Sequence, residues 1–183
     1  IDMRIKNNDD STTISANFGN FGIVYLNLNE LDSAYKYIGL SFSLDKQLGD
    51  SIGLLYSGST LAEYFLKINE YDSAEIYFKN VLTMAKRHES MRHVLSENYN
   101  YLGELYLKKG DYQKSLENYK EAKVLAEKMQ LGNVLLTSLE GLANASKSLG
   151  RHTEAFNYLS IYSSLKDSLF TLDIKKQLNT AEI

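Results

Sequence analysis

Tyr99-Asn100-Tyr101-Leu102-Gly103-Glu104-Leu105-Tyr106, followed shortly by Gly110-Asp111-Tyr112-Gln113-Lys114-Ser115, is the stretch on which the fold turns. Before Gly110, Leu95, Tyr99, Leu102, Leu105 and Tyr106 step at three and four residues, which is one apolar face of a helix. After it, Tyr112, Leu116, Tyr119 and Leu125 step the same way, with Ala122 and Ala126 on the stripe. Gly110 stands where the first helix must end, because glycine accepts the left-handed backbone that closes a helix. A turn of about three residues forces the two helices to pack antiparallel. Gly103 and Ser115 are small enough to let the two backbones approach.

Working outward, the same unit recurs. Asn29-Glu30-Leu31-Asp32-Ser33-Ala34, Asn69-Glu70-Tyr71-Asp72-Ser73-Ala74 and Gly150-Arg151-His152-Thr153-Glu154-Ala155 repeat the turn. The closing small residue falls at 34, 74, 115 and 155, at spacings of 40, 41 and 40. Twelve residues before each stands another small residue: Gly22, Ala62, Gly103 and Ala143. One before those is bulky and apolar: Phe21, Leu61, Leu102 and Leu142. Tyr25, Phe65 and Tyr106 are placed to fill the volume beside the small residues. A near-fixed period of this length is the mark of a repeat architecture. The pattern predicts helices over 12–28, 31–47, 51–68, 71–87, 91–109, 112–129, 132–149 and 152–166. Residues 1–7 read as the end of a preceding repeat's second helix, and 168–183 as a further capping or connector helix. The chain begins Ile-Asp rather than Met, so it reads as a fragment or processed chain of a longer array.

These positions resemble the tetratricopeptide repeat (TPR), whose signature is aromatic, Leu, Gly, Tyr on the first helix and Ala, Phe, Ala on the second. The third unit matches best, through Tyr99, Leu102, Gly103, Tyr106, Ser115, Tyr119 and Ala122. The first gives Phe18, Phe21, Gly22, Tyr25, Ala34, Ile38 and Ser41. The second gives Gly58, Leu61, Ala62, Phe65, Ala74, Phe78 and Val81. The fourth, Leu139, Leu142, Ala143, Ser146, Ala155, Leu159 and Tyr162, is looser. The resemblance implies an all-α, right-handed solenoid of antiparallel helix pairs in a single array, with repeats at about 12–50, 51–90, 91–130 and 131–166. Two departures stand out: the period is about 40 rather than about 34 residues, and the family's closing proline is missing. The extra residues are expected between one pair and the next, in longer helices or wider loops.

Composition excludes several functions. The 183 residues are 44% hydrophobic and 23% charged, ordinary for a folded soluble chain. Twenty Lys+Arg against 23 Asp+Glu, well mixed, leave no basic block for nucleic acid. There is no cysteine, hence no disulfide, thiolate metal site or thiol nucleophile. No apolar run approaches the roughly 18–20 residues needed to cross a bilayer.

No catalytic, cofactor or metal site is expected. His88 and His93 lie five apart, about 140° around a helix, whereas a zinc-protease pair sits four apart on one face. They fall in the junction between units and read as a solvated loop pair. Gly19-Asn20-Phe21-Gly22 lacks the strand and third glycine of a dinucleotide loop. Most of the 14 tyrosines occupy packing positions, among them Tyr25, Tyr71, Tyr99, Tyr106, Tyr112 and Tyr119. Tyr56 and Tyr101 fall off the core stripe and are the candidates for exposure.

The resemblance implies that the first helix of each pair lines the binding surface. Mapped here, that face holds Asn20, Ile23 and Asn27; Thr60, Glu63 and Lys67; Asn100, Tyr101, Glu104 and Lys108; and Glu140, Asn144 and Lys147. The set is polar and rich in amides, as suits an extended peptide; the competing reading is a solvated helix face. The carboxylate clamp of chaperone-adaptor TPRs is missing, because its positions carry Gly19/Ile23, Ser59/Glu63 and Asn100/Glu104. Finally, Tyr162-Ser163-Ser164-Leu165-Lys166-Asp167-Ser168-Leu169-Phe170 resembles the end of the TPR array in bacterial membrane-anchored histidine kinases and transcriptional regulators. That resemblance implies a sensor domain of a signal-transduction or two-component protein. It would take a protein or peptide partner outside the cytoplasm, and a homodimer is one arrangement through which binding would act. The alternative is a cytoplasmic TPR scaffold or peptide-receptor regulator.

Overall fold

The computed structural model describes residues 8–181, all-helical apart from short turns. The expected helix over 1–7 lies outside the described residues. The chain divides into two compact units, residues 1–94 and 95–183.

The first unit holds α1 (Asn8–Asn27), α2 (Leu31–Leu48), α3 (Ser51–Lys67) and α4 (Tyr71–Ala85), then a single 3-10 turn at Glu89–Met91. Helix α1 packs on α2, α3 on α4, and α2 and α1 both on α3. Each pair is joined by three residues, and the turn is made by Asn29 and Asn69 at φ 62° and 64°. Asparagine tolerates this left-handed backbone better than other non-glycine residues. At the close approach the small residues meet their expected neighbours. A Cβ added at Gly22 would come 2.6 Å from Ile38 Cγ1, and Ala34, Ala62 and Ala74 are fully buried. Tyr25 stacks on Tyr37 at 5.4 Å between ring centroids, and Phe65 on Tyr77 at 5.5 Å. Phe21 departs from its counterparts: it is 53% exposed, whereas Leu61 is 5%. A repeat buries this position only against its neighbours, and α1 is the outermost described helix of its unit.

The second unit holds most of α5 (Arg92–Lys108), then α6 (Tyr112–Met129), α7 (Gly132–Ser148) and α8 (His152–Ala181). The hydroxyl of Ser115 donates to Gly103 O at 2.7 Å, tying α6 to α5 where the small residues face each other. Leu116, Tyr119, Leu142 and Ala145 form the core between α6 and α7. Helix α8 packs back on α7.

The long period resides in the helices. Helices α2, α3, α6 and α7 run 17 or 18 residues, and only Gly49-Asp50 and Gln130-Leu131 make the first and third junctions, while after the shorter α4 the second junction takes residues 86–91 with their 3-10 turn. Helix α8 differs from expectation. It does not stop near 166 before a separate helix, but runs unbroken for 30 residues to Ala181. Nothing between Lys166 and Phe170 breaks a helix, and the side chain of Leu169 lies against Gly132 in the first turn of α7.

Candidate functional site

Each unit carries a cavity on the face of its first helices. In the first unit a cavity of about 190 Å3 opens between α1 and α3. Asn20 and Ile23 of α1 and Tyr56 and Thr60 of α3 form its walls; Ser41 and Asp45 of α2 lie among its lining groups. Asp45 is only 2% exposed. It accepts hydrogen bonds from Ser15 and, at 2.6 Å, from Ser57. Ser15 Oγ also reaches Ser41 O at 3.0 Å, the counterpart of Ser96 Oγ donating to Ala122 O at 3.0 Å in the second unit. Tyr56 is half exposed, and its hydroxyl lies 3.0 Å from His93 Nε2.

That contact revises the reading of the histidines. His93 is not in a solvated loop; it sits in the first turn of α5, partly buried, against Tyr56. His88 precedes the 3-10 turn, and its carbonyl accepts from Met91 N at 3.0 Å. Among the described residues no group of three His, Cys, Asp or Glu could hold a metal.

In the second unit a cavity of about 240 Å3 opens between α5 and α7. Glu97, Asn100, Tyr101 and Glu104 face Asn133, Val134 and Thr137 across it, with Tyr119 of α6 contributing. Burial first, then the carboxylates of Glu104 and Glu140, hold the Tyr119 phenol well above its ordinary range. Glu104 pairs with Lys108 at 3.3 Å along the exposed side of α5.

The residues mapped from sequence therefore divide. Asn20, Ile23 and Thr60 come together at one cavity, and Asn100, Tyr101 and Glu104 at the other. Asn100 is 7% exposed and its amide is already engaged. Its Nδ2 donates to Val134 O at 3.0 Å, and its Oδ1 accepts from Ser138 at 2.8 Å. It fastens α5 to α7. Lys67 donates to Leu26 O at 2.8 Å, satisfying a carbonyl at the end of α1. Glu63 is partly buried; Asn27, Glu140, Asn144 and Lys147 are exposed and line neither cavity. Asp45 and Ser57 were not singled out by the sequence reading. The available signal was Asp45 itself, a charged residue eleven after Ala34, where the next two repeats have Ala85 and Ala126. A larger cavity of about 340 Å3, with Phe42, Tyr77 and Met84 in its lining, lies among α2, α3 and α4 instead of on the first-helix face.

Comparison with known proteins agrees with the helical-repeat fold. Among solved structures, the chain is similar to the crystal structure of BtubC (BKLC) from P. vanneervenii. The TM-score is 0.78 at 16% identity, covering 92% of this chain and 68% of that one. At that identity the likeness shows the fold alone. No curated protein matches the sequence. The family model of the tetratricopeptide repeat matches residues 96–128, and repeats of this family are generally non-enzymatic and bind proteins or peptides. The match falls on α5 and α6, the helix pair whose sequence carries the repeat signature most fully, so this pair is where the chain's similarity to tetratricopeptide-repeat proteins is established.

Proposed function

We propose that this chain is a non-catalytic protein- or peptide-binding module, and that it forms the sensor or interaction part of a bacterial signal-transduction protein. The observation that carries the binding reading is the pair of cavities on the first-helix faces. Each brings hydroxyl, amide and carboxylate groups beside a tyrosine ring, at Tyr56 in one unit and Tyr101 in the other. An extended peptide presents backbone N–H and C=O groups that need such partners, and its side chains need the apolar wall between them.

The signalling part rests on the resemblance of Lys166-Asp167-Ser168-Leu169-Phe170 to the end of sensor arrays, and on the length of α8, which suits a connector. In this reading the array lies outside the cytoplasm. A peptide that prefers one packing of the helices shifts that packing, in a homodimer or in one chain, and α8 carries the change onward.

Selection of displayed random peptides against residues 1–183 tests the binding reading. Selected peptides should lose affinity for the variants Tyr56→Ala or Tyr101→Ala. Peptides that bind the double variant as well as the original chain would overturn it. Reading the parent gene past the codon for Ile183 tests the rest. An apolar span followed by a kinase or DNA-binding segment supports a sensor. A stop codon or further repeats would make the chain a freestanding scaffold.

A further inference from the structure

We propose that the cavity between α1 and α3 binds a primary ammonium or a guanidinium group, with Asp45 as its counter-ion. The proposal deepens the peptide-binding reading by naming the chemistry of one contact.

The buried carboxylate is the first reason. A carboxylate offers about four acceptor positions, and among the described residues only the hydroxyls of Ser15 and Ser57 bond to the carboxylate of Asp45. Among the described residues no Lys, Arg or His pairs with it. Burying a carboxylate without a cation is costly. The N-terminus of α3 offsets this in part, but a helix end supplies only about half a charge, and Asp50 already caps it through Ile52 N and Gly53 N at 3.0 Å.

A second carboxylate oxygen converges on the same place. The point where a Cβ of Gly53 would stand lies 2.5 Å from Asp45 Oδ1 and 2.8 Å from Asp50 Oδ2. The bare backbone of Gly53 thus lets the Asp45 carboxyl pack directly against α3, with an oxygen of Asp50 close by.

The repeat itself supplies the third reason. At the register of Asp45 the next two repeats carry Ala85 and Ala126, both fully buried. At the register of Gly53, nine before the small residue of the first helix, the second unit carries Val134. The fold therefore closes this junction with alanine and valine in one unit, and in the other it holds a carboxylate beside a glycine. Packing does not require the acid.

The remaining walls fit a cation on a short apolar stem. Ile23 offers an aliphatic surface, and Tyr56 an aromatic ring of the kind that attracts cations. Two carboxylates and hydroxyls fall short of a metal-binding set, and hydrogen-bonding donors complete them better.

The test is titration of the intact chain with n-butylammonium, n-butylguanidinium and neutral 1-butanol, followed by amide chemical shifts. A short capped peptide containing Lys, and the same peptide with norleucine there, form a second arm. The cations should shift the amides of residues 53–60 and bind at least about tenfold more tightly than butanol. Asp45→Asn should lose at least about tenfold, and Asn20→Arg, a surface change that sets a guanidinium beside the cavity, should block binding. The Asn20 variant decides the matter if Asp45→Asn does not fold. Tighter binding of the Lys peptide than of the free amine identifies a peptide side chain as the source; the reverse identifies a free amine. Cations that bind no better than butanol, or bind both variants unchanged, overturn the proposal. Peptides held equally with Lys or norleucine would overturn it while leaving the peptide-binding reading standing.

Discussion

The far end of the Tyr119 ring lies against the bare backbone of Gly141, so close that a Cβ on Gly141 would overlap its Cζ and Cε1 atoms. The near end of the same ring passes Gly103, where a Cβ would come 2.7 Å from Cγ. One side chain of α6 is thus seated between glycines of α5 and α7. Gly141→Ala and Gly103→Leu should each destabilise the chain by about 1–3 kcal/mol through overpacking. Gly39, with open space around it in the middle of α2, gives the contrast: Gly39→Ala should stabilise by about 0.5–1 kcal/mol. Thermal melts of the three variants check this. Unchanged melting of Gly103→Leu would mean the register of the helix pair is wrong.

The same ring makes stability depend on alkaline pH. Burial and the nearby glutamates raise the folded-state pKa of Tyr119, while an unfolded phenol titrates near pH 10. The folded chain therefore holds this proton more firmly. Its contribution is intact below about pH 10 and is lost as pH climbs through the higher folded value. Tyr119→Phe should fall less steeply than the original chain in a plot of melting temperature against pH above about 10.

Asn100 and Glu104 lie on one helix face and should behave oppositely. Asn100→Ala removes the Nδ2 donor to Val134 O and one of the two acceptors within reach of Ser138 Oγ, the other being Val134 O itself. It should cost about 1–3 kcal/mol. Glu104→Ala removes a half-exposed ion pair and should stay within about 0.5 kcal/mol. Urea titrations of both variants separate framework from surface.

Asp50 caps α3 with two backbone bonds, whereas Asp111 caps α6 with one, from Lys114 N at 3.2 Å. Asp50→Ser keeps a capping oxygen and should be nearly neutral, while Asp50→Ala should lose about 0.5–2 kcal/mol. Comparing their denaturant midpoints isolates the cap.

Exchanging Asp45 and Gly53 for the residues of the second unit is the most direct test of what the acid is for. Asp45→Ala combined with Gly53→Val replaces a buried charge by apolar packing, a change that is often neutral or stabilising. The double variant should melt at or above the temperature of the original chain. A loss of several degrees would make Asp45 a framework residue.

The helix pairs were legible because each turn is written with Asn or Gly at a left-handed position and each close approach with a small residue. The run of α8 was not, because the repeat pattern gives out near residue 166, and nothing between Lys166 and Phe170 marks whether the helix ends there or continues. The binding face was legible only in outline. Side chains on one helical stripe share a direction, but which are buried depends on the neighbouring repeat. Asn100 and Tyr101 are adjacent in sequence and both line the second unit's cavity, but the Asn100 amide is already engaged by α7. Asp45 escaped notice because second helices were read for packing and first helices for recognition, whereas the cavity takes part of its lining from α2.

The continuity of α8 has a mechanical consequence. Leu169 is seated at the first turn of α7, and the helix continues for three further turns to Ala181. At 1.5 Å per residue its 30 residues make a rod about 45 Å long. With Leu169 held on α7, the lever is the segment beyond it, about 18 Å long, and a tilt of about 10° there would sweep its far end through about 3 Å. Side-chain adjustments at the Leu169 seat would thus be enlarged at the tip of this lever.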